Sequence, residues 1–120
     1  MRFFLDTYAM VEIIRGNKAY EKYLSHELFT SILHLYEFYY DLIKNYPSEE
    51  AKQLYLKFLD CMIPIKNEHV FNAAQFKLLH HQKGISYADA LGYVMAIQEN
   101  MKFLTGDKEF KEMKNIEFVK

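Results

Sequence analysis

Short strand-like segments alternate with longer helical patterns along this chain, and this alternation constrains the fold more than any other sequence feature. Arg2 to Leu5, Lys102 to Thr105 and Ile116 to Val119 are segments of strand length with apolar centres. In the longer segments between them, apolar residues recur at the three- and four-residue spacing of helices. Strands that alternate with helices are typical of α/β domains with a mostly parallel sheet. We therefore expect an α/β fold in which helices flank a central sheet.

The middle of the chain supplies the remaining elements. Leu28 to Ile32 is either a strand or the entry to a helix, and Leu33 to Asn45 is apolar on nearly all sides. The latter pattern predicts a helix that is mostly buried. Cys61 to Ile65 is a strand candidate, and Pro64 restricts it to an edge of the sheet because proline has no N–H to donate.

Length and composition limit the classes of protein to which the chain can belong. We expect one domain spanning residues 1–120, with enough apolar residues (51%) for a real core. The net charge of -1 excludes a strongly basic surface that would attract nucleic acid over the whole molecule. The single cysteine fits a reducing compartment, and no apolar run approaches the length of a membrane span. We expect a cytoplasmic protein that does not contact a membrane.

Four acidic residues are predicted to meet at one edge of the sheet. Asp6 directly follows the first strand, and Asp107 follows the strand at Lys102 to Thr105. Asp89 lies in the first turn of a predicted helix, and Glu37 lies early in the helix after the second strand. Ligand sites of open α/β folds form where parallel strands end. This convergence is the main functional prediction from the residues themselves.

Each acid also has an ordinary structural interpretation. Asp6 and Asp107 are common turn residues, and Asp89 has the spacing of a capping box with Ser86. Glu37 is surrounded by large apolar residues and therefore needs a partner, because an unpaired buried charge is costly. The local candidates for that partner are His34 and Lys44, and the sequence does not decide between them.

Four carboxylates at one edge repel one another unless cations neutralise them or some stay protonated. An all-oxygen ligand set without nearby cysteines or paired histidines suits hard cations, Mg²⁺ or Mn²⁺. Such ions activate water and stabilise the charge of an in-line phosphoryl displacement. The constellation is therefore typical of a nuclease.

Three motifs and one isolated acid resemble those of the PIN domain, the small metal-dependent ribonuclease fold of VapC-type toxins. Their order and spacing fit that family from end to end, so the resemblance covers nearly the whole chain. The matching segments are Phe3-Phe4-Leu5-Asp6-Thr7, Glu37, Gly84-Ile85-Ser86-Tyr87-Ala88-Asp89-Ala90-Leu91 and Phe103-Leu104-Thr105-Gly106-Asp107-Lys108-Glu109-Phe110.

The resemblance implies a PIN-like three-layer domain with a central, mostly parallel sheet between helices. It implies that Asp6, Glu37, Asp89 and Asp107 form an acidic metal site, and that Thr7 and Thr105 make hydroxyl contacts near it. It also implies an RNA substrate, a homodimer, and a cognate antitoxin bound in a groove near the active site.

The basic and aromatic residues carry two further hypotheses. Lys108 adjoins Asp107 and is a candidate contact for RNA phosphate, although a solvated helix face explains it equally simply. Tyr36, Tyr39 and Tyr40 cannot all face inward on one helix. Part of this aromatic surplus therefore fits a dimer or antitoxin interface.

Two functions of different class follow from these observations. The leading hypothesis is a Mg²⁺- or Mn²⁺-dependent endoribonuclease that hydrolyses RNA phosphodiester bonds as the toxin of a type II toxin–antitoxin pair. The alternative is a catalytically silent PIN-like module that binds RNA or protein. The presence of all four acids favours the enzyme.

Overall fold

The structure is a computed structural model that describes residues 1–120. Its four strands are β1 (Arg2–Leu5), β2 (Glu27–Phe29), β3 (Lys102–Thr105) and β4 (Ile116–Phe118). Its five α-helices are α1 (Thr7–Ile14), α2 (Ile32–Asn45), α3 (Ser48–Leu56), α4 (Asn67–Leu79) and α5 (Tyr87–Gln98). Short 3-10 helices occupy Lys18–Ser25, Leu59–Cys61, His81–Lys83 and Lys108–Phe110.

All four strands are parallel and form one sheet in the order β2-β1-β3-β4. In the central strands, Phe4 of β1 pairs with Phe29 of β2 on one side and with Phe103 of β3 on the other. Because the strands run in the same direction, their carboxyl ends lie at a single edge. The α/β prediction and the parallel sheet are therefore confirmed.

Side chains of β1 alternate between the two faces of the sheet and divide the core into two layers. Phe3 and Leu5 join the cluster that includes Phe38 of α2, whereas Phe4 joins the cluster that includes Met95 of α5. Helices α1, α2 and α3 thus cover one face, and α4 and α5 cover the other. This is the three-layer arrangement that the sequence predicts.

Polar residues start the helices directly after the strands. The Asp6 carboxylate accepts a hydrogen bond from the Ala9 N–H and caps α1, and Ser31 Oγ caps α2 by accepting from the His34 N–H. Such caps satisfy N–H groups that have no partner within the helix. They also place the first turns of α1 and α2 at the carboxyl edge of the sheet.

The prediction of an edge strand at Cys61 to Ile65 is wrong. This segment makes one isolated parallel bridge, between Met62 and Thr30, and is otherwise irregular. Two backbone hydrogen bonds hold it beside β2, from Thr30 N–H to the Cys61 carbonyl and from Ile63 N–H to the Thr30 carbonyl. Pro64 cannot donate the next bond of a ladder, so the pairing ends there.

The expectation that α2 is mostly buried is also wrong. Leu35, Phe38 and Leu42 form a buried stripe at helical spacing, while Tyr36 and Tyr40 are 70% and 58% exposed. The tyrosines occupy the opposite face and bring apolar rings to the surface. Helix α2 is therefore amphipathic in its packing although its sequence is apolar on nearly all sides.

No helix of the structure is both long enough and apolar enough to cross a membrane.

Candidate functional site

The carboxyl edge of the sheet gathers the four predicted acids. Asp6 follows β1 and Asp107 follows β3 by two residues, whereas Asp89 lies in the first turn of α5 and Glu37 in the second turn of α2. Their charges act on one another: Asp89 and Asp107 raise the pKa of Asp6, and Asp107 and Glu37 raise that of Asp89. The predicted convergence is therefore present, while the role of each acid stays a prediction.

Asp6 lies at the bottom of the site and is only 2% exposed. Its Oδ1 accepts from the Ala9 N–H at 2.8 Å, and its Oδ2 accepts from Thr105 Oγ1. Burial, together with the charges of Asp89 and Asp107, raises the pKa of Asp6 to about 7, against the lowering effect of these two hydrogen bonds. A nearby cation would relieve this cost and favour the ionised form.

Asp89 is partly buried at the start of α5. The hydroxyl oxygen of Ser86 accepts from the Asp89 N–H at 3.0 Å, so Ser86 is the helix cap that the spacing predicts. Burial raises the pKa of Asp89 to about 6; the charges of Asp107 and Glu37 act in the same direction, and hydrogen bonding by Ser86 opposes them. Capping and a functional carboxylate are compatible at this position, because the cap uses the backbone N–H.

The hydrogen-bond partner of Glu37 lies outside its own helix and is neither of the two local candidates. Thr7 Oγ1 donates to Glu37 Oε1 at 2.8 Å, whereas neither local candidate pairs with Glu37. Lys44 lies 3.4 Å from Asp41, and the His34 ring is buried in the core. The hydrogen bond therefore ties α2 to the first residue of α1, directly after Asp6.

The two threonines predicted near the site each donate a hydrogen bond to an acidic side chain. Thr105 Oγ1 donates to Asp6 and accepts from the Asp107 N–H at 3.0 Å, so it joins the two acids that follow central strands. Asp107 in turn caps the next 3-10 helix by accepting from the Glu109 N–H. Lys108 is exposed beside Asp107. Contacts of Thr7, Thr105 and Lys108 with substrate stay predictions.

The donor chemistry of this edge suits a hard divalent cation, although the side chains are not gathered into a finished cage. Nowhere in the structure do three or more His, Cys, Asp or Glu side chains form a group that could hold a metal ion. Mg²⁺ commonly binds proteins through one or two carboxylates and retains several waters. The oxygen-only donors and their mutual repulsion therefore fit such a partly hydrated ion.

Two cavities that share Tyr36 lie along the exposed face of α2, one of them beside Glu37, and together we call them the aromatic trough. The first, of about 420 Å³, is lined by Thr7, Tyr36, Glu37, Tyr40 and Asp41. The second, of about 480 Å³, shares Tyr36 and is lined also by Ile32, Tyr39, Lys52 and Tyr55. Sequence reasoning found the surplus of tyrosines on α2 but not the cavities that they line.

Tyr8 is a site residue that sequence reasoning missed. A side chain at Gly106 would collide with the Tyr8 ring and with the Val119 carbonyl oxygen, so the ring lies directly against the backbone before Asp107. The pKa of Tyr8 is raised by burial and by several acidic charges, those of Asp6 and Asp107 among them. The usable signal was the glycine immediately before an acid at the end of a strand.

Solved structures resemble the fold over its whole length. VapBC2 from Rickettsia felis, bound to a DNA fragment from its promoter, matches with a TM-score of 0.79 and 24% identity over 99% of this chain and 98% of that chain. VapBC-1 from nontypeable Haemophilus influenzae matches with 0.77 and 15% over 99% and 97%. FitAcB from Neisseria gonorrhoeae matches with 0.73 and 18% over 98% and 96%. At these identities the likeness shows a shared fold.

No curated protein matches the sequence at a significant level. The family model described as "PIN domain" matches residues 3–116, which include all four acids and the whole sheet except its first residue and its last two. With this match over nearly the full length and the fold described above, the chain belongs to the PIN domain family.

Proposed function

We propose that this chain is a metal-dependent endoribonuclease that acts as the toxin of a type II toxin–antitoxin pair, with Mg²⁺ or Mn²⁺ as cofactor. The observation that carries the proposal is the gathering of Asp6, Glu37, Asp89 and Asp107 at one edge, with the pKa values of Asp6 and Asp89 raised by burial and like charge. Family membership and the likeness to VapBC complexes support it. Perturbed carboxylates that converge in this way are typical of functional sites.

In this proposal Asp6, Asp89 and Asp107 hold one or two divalent ions, and Glu37 completes or orients the site. The bound ion supplies charge stabilisation of the phosphodiester and an activated water for in-line displacement. The contribution of the chain is orientation. Thr105 fixes the Asp6 carboxylate by donating to Oδ2, and Thr7 fixes Glu37 by donating to Oε1.

Two of the three residues expected at the substrate are exposed enough to meet it. The Lys108 ammonium, exposed beside Asp107, would contact a phosphate next to the scissile one. The half-buried Thr7 would contact the RNA beside Glu37, whereas Thr105 is fully buried between Asp6 and the Asp107 N–H and would act by holding these acids. With a net charge of -1, the chain has no broad basic surface to add affinity. Local contacts and the metal therefore carry most of the binding.

Two exposed apolar surfaces support the proposed protein partners. The aromatic trough offers rings beside an acid to a segment of a cognate antitoxin, and Lys52 lies at its far end. A second surface on α4 and the start of α5 supports a homodimer. Its exposed residues are Val70, Phe71, Leu78, Leu79 and Tyr87. Exposed apolar patches of this kind mark interaction sites.

The silent binding module remains the second candidate because one observation favours it. No three acidic side chains in the structure form a group ready to hold a metal. One experiment separates the two functions. Purified protein is incubated with a total cellular RNA pool in Mn²⁺ and in chelator, with Asp89→Asn as the control for contaminating nuclease.

The nuclease predicts discrete cuts that require Mn²⁺ and disappear in Asp89→Asn. An RNA pool is needed because a narrow target preference would look like inactivity on a single substrate. Intact RNA in every lane would contradict the nuclease and favour the binding module. Cuts that persist in the Asp89→Asn lane would contradict the role of Asp89.

A further inference from the structure

A buried histidine packs between the two helices that carry Glu37 and Asp89. His34 lies on α2, one turn before Glu37, and is 0% exposed. Its ring packs edge-on against Phe4 of β1, with the ring centroids 5.0 Å apart. Its other neighbour is α5, where it meets Gly92 one turn after Asp89.

Gly92 is required by space at this contact. A Cβ atom at position 92 would lie 2.6 Å from His34 Nε2 and 2.9 Å from Phe103 Cε1, distances at which the neighbours must move. Gly92 has an ordinary negative φ inside α5, so its backbone conformation does not need glycine. A glycine in a helix interior is unfavourable relative to alanine. The close approach of the His34 ring accounts for its presence.

The polar edge of the ring is fixed on the side of α2. Ser31 Oγ accepts from the His34 N–H at 3.3 Å and also shares a hydrogen bond with His34 Nδ1, 2.7 Å away. Nε2 is buried and has no hydrogen-bond partner of good geometry, and the Ala88 carbonyl is the backbone group that faces it. Ala88 immediately precedes Asp89.

The ring thus meets α5 at Ala88 and Gly92, on either side of Asp89. A purely apolar side chain would fill the same core position without burying an unpartnered nitrogen, which is costly. Packing alone therefore does not explain a histidine at position 34.

We propose that His34 is a positioning residue: seated against Gly92, it sets the distance between α2 and α5 and so the distance between Glu37 and Asp89. The inference rests on the proposed function, because it concerns the same acidic site. Loss of the contact would change how the two helix-borne carboxylates face a shared cation. The strand-borne acids, Asp6 and Asp107, would be unaffected.

The test compares metal binding with stability in the purified full chain. Mn²⁺ is titrated by calorimetry into the wild type, His34→Leu, Gly92→Ala and Phe58→Leu, and urea unfolding is measured for each. Phe58 is buried on the other face of the sheet against Phe38, so Phe58→Leu is a control that loses core packing away from α5. We expect Mn²⁺ binding to weaken about 10-fold or more in His34→Leu and Gly92→Ala, as for other residues that orient metal ligands.

The stability readout separates positioning from packing. His34→Leu is expected to be at least as stable as the wild type while binding Mn²⁺ less tightly, whereas Phe58→Leu is expected to be less stable with unchanged Mn²⁺ affinity. Equal Mn²⁺ affinities in the wild type, His34→Leu and Gly92→Ala would overturn the inference. If the wild type itself binds no Mn²⁺, the proposed function fails first, and the positioning role fails with it.

Discussion

The acidic edge has two sides that are built differently. Asp6 and Asp107 follow neighbouring central strands and are joined by Thr105, whose hydroxyl donates to one and accepts from the backbone of the other. Glu37 and Asp89 lie on helices from opposite faces of the sheet. The first pair is held by strand register, and the second by how closely α2 and α5 pack. We therefore expect the strand side to be the more rigid half of the site and the helix side to be the more adjustable half.

This difference predicts unequal losses when one acid on each side is neutralised, and these are the largest effects expected. Asp6→Asn should reduce RNA cleavage below detection, because it removes the charge at the buried centre of the site. Glu37→Gln should reduce cleavage by about 10- to 100-fold, as for groups that orient metal ligands. Asparagine caps helices as well as aspartate, so α1 should stay folded. Cleavage rates with circular dichroism as the folding control test this order, and a larger loss in Glu37→Gln would reverse the comparison.

Gly106 tests the rigidity of the strand side. Gly106→Ala should lower the free energy of unfolding by about 1–3 kcal/mol, because the added methyl overlaps the Tyr8 ring and the Val119 carbonyl. Cleavage should fall with it, since Asp107 is the next residue. Gly84→Ala is the matched control, because nothing lies near its Cβ position and only its positive φ is strained. Comparable activity in the two variants would show that the Tyr8 contact does not hold Asp107.

The two threonines give a smaller, paired comparison. Thr105→Val removes a buried donor from Asp6, and Thr7→Val removes a half-buried donor from Glu37. We expect Mn²⁺ affinity to fall by about 10-fold or more in Thr105→Val, and by less in Thr7→Val because water can replace the exposed bond. Calorimetric titration measures both. Equal losses would indicate that the two sides are held equally firmly.

A further expected effect is a pH dependence of stability in metal-free protein. The folded-state pKa of Asp6, about 7, lies above its ordinary value, so the folded state binds the proton more tightly than the unfolded state does. Stability from this group is therefore present below about pH 4 and is lost as pH rises toward 7, by at most about 1.4 kcal/mol per pH unit. Asp89 contributes in the same direction up to about pH 6.

The buried His34 changes the stability of the protein with pH in the opposite direction, so its contribution has to be separated from that of Asp6. Burial lowers the pKa of His34 to about 4, so its effect is a loss of stability as pH falls from about 6.5. Urea unfolding from pH 4 to pH 7.5 is therefore compared between the wild type and Asp6→Asn. The free energy of unfolding of the wild type, taken relative to that of Asp6→Asn, should rise as pH falls. A difference independent of pH would contradict the buried, charge-sensitive state of Asp6.

The contrast between the strand side and the helix side also explains which features could be predicted from the sequence. β1 and β3 were predicted with their observed bounds, because each has a buried apolar centre and ends at or directly before a polar residue. The acids after them followed from the rule that parallel strands end at one edge. The sequence indicated that some tyrosines of α2 face outward but not which ones, because tyrosine is compatible with both core and surface, and only the packing of Leu35, Phe38 and Leu42 decides which face is inside.

Tertiary contacts account for the rest of the site. The partner of Glu37 is Thr7, 30 residues away in the chain, so the local candidates His34 and Lys44 were misleading. The contact of His34 with Gly92 joins two helices that no local pattern relates. All four acids were therefore predictable from their order along the chain, whereas the side chains that hold them in place needed the packed structure.

The most direct test of the central claim is a crystal structure of the wild-type protein grown with Mn²⁺, with anomalous scattering data collected to locate the ion. The account predicts an anomalous peak at the carboxyl edge of the sheet, within bonding distance of Asp6 or Asp89, and its loss in Asp89→Asn crystals. A structure at saturating Mn²⁺ with no peak near any of the four acids would contradict the claim that they form a metal site.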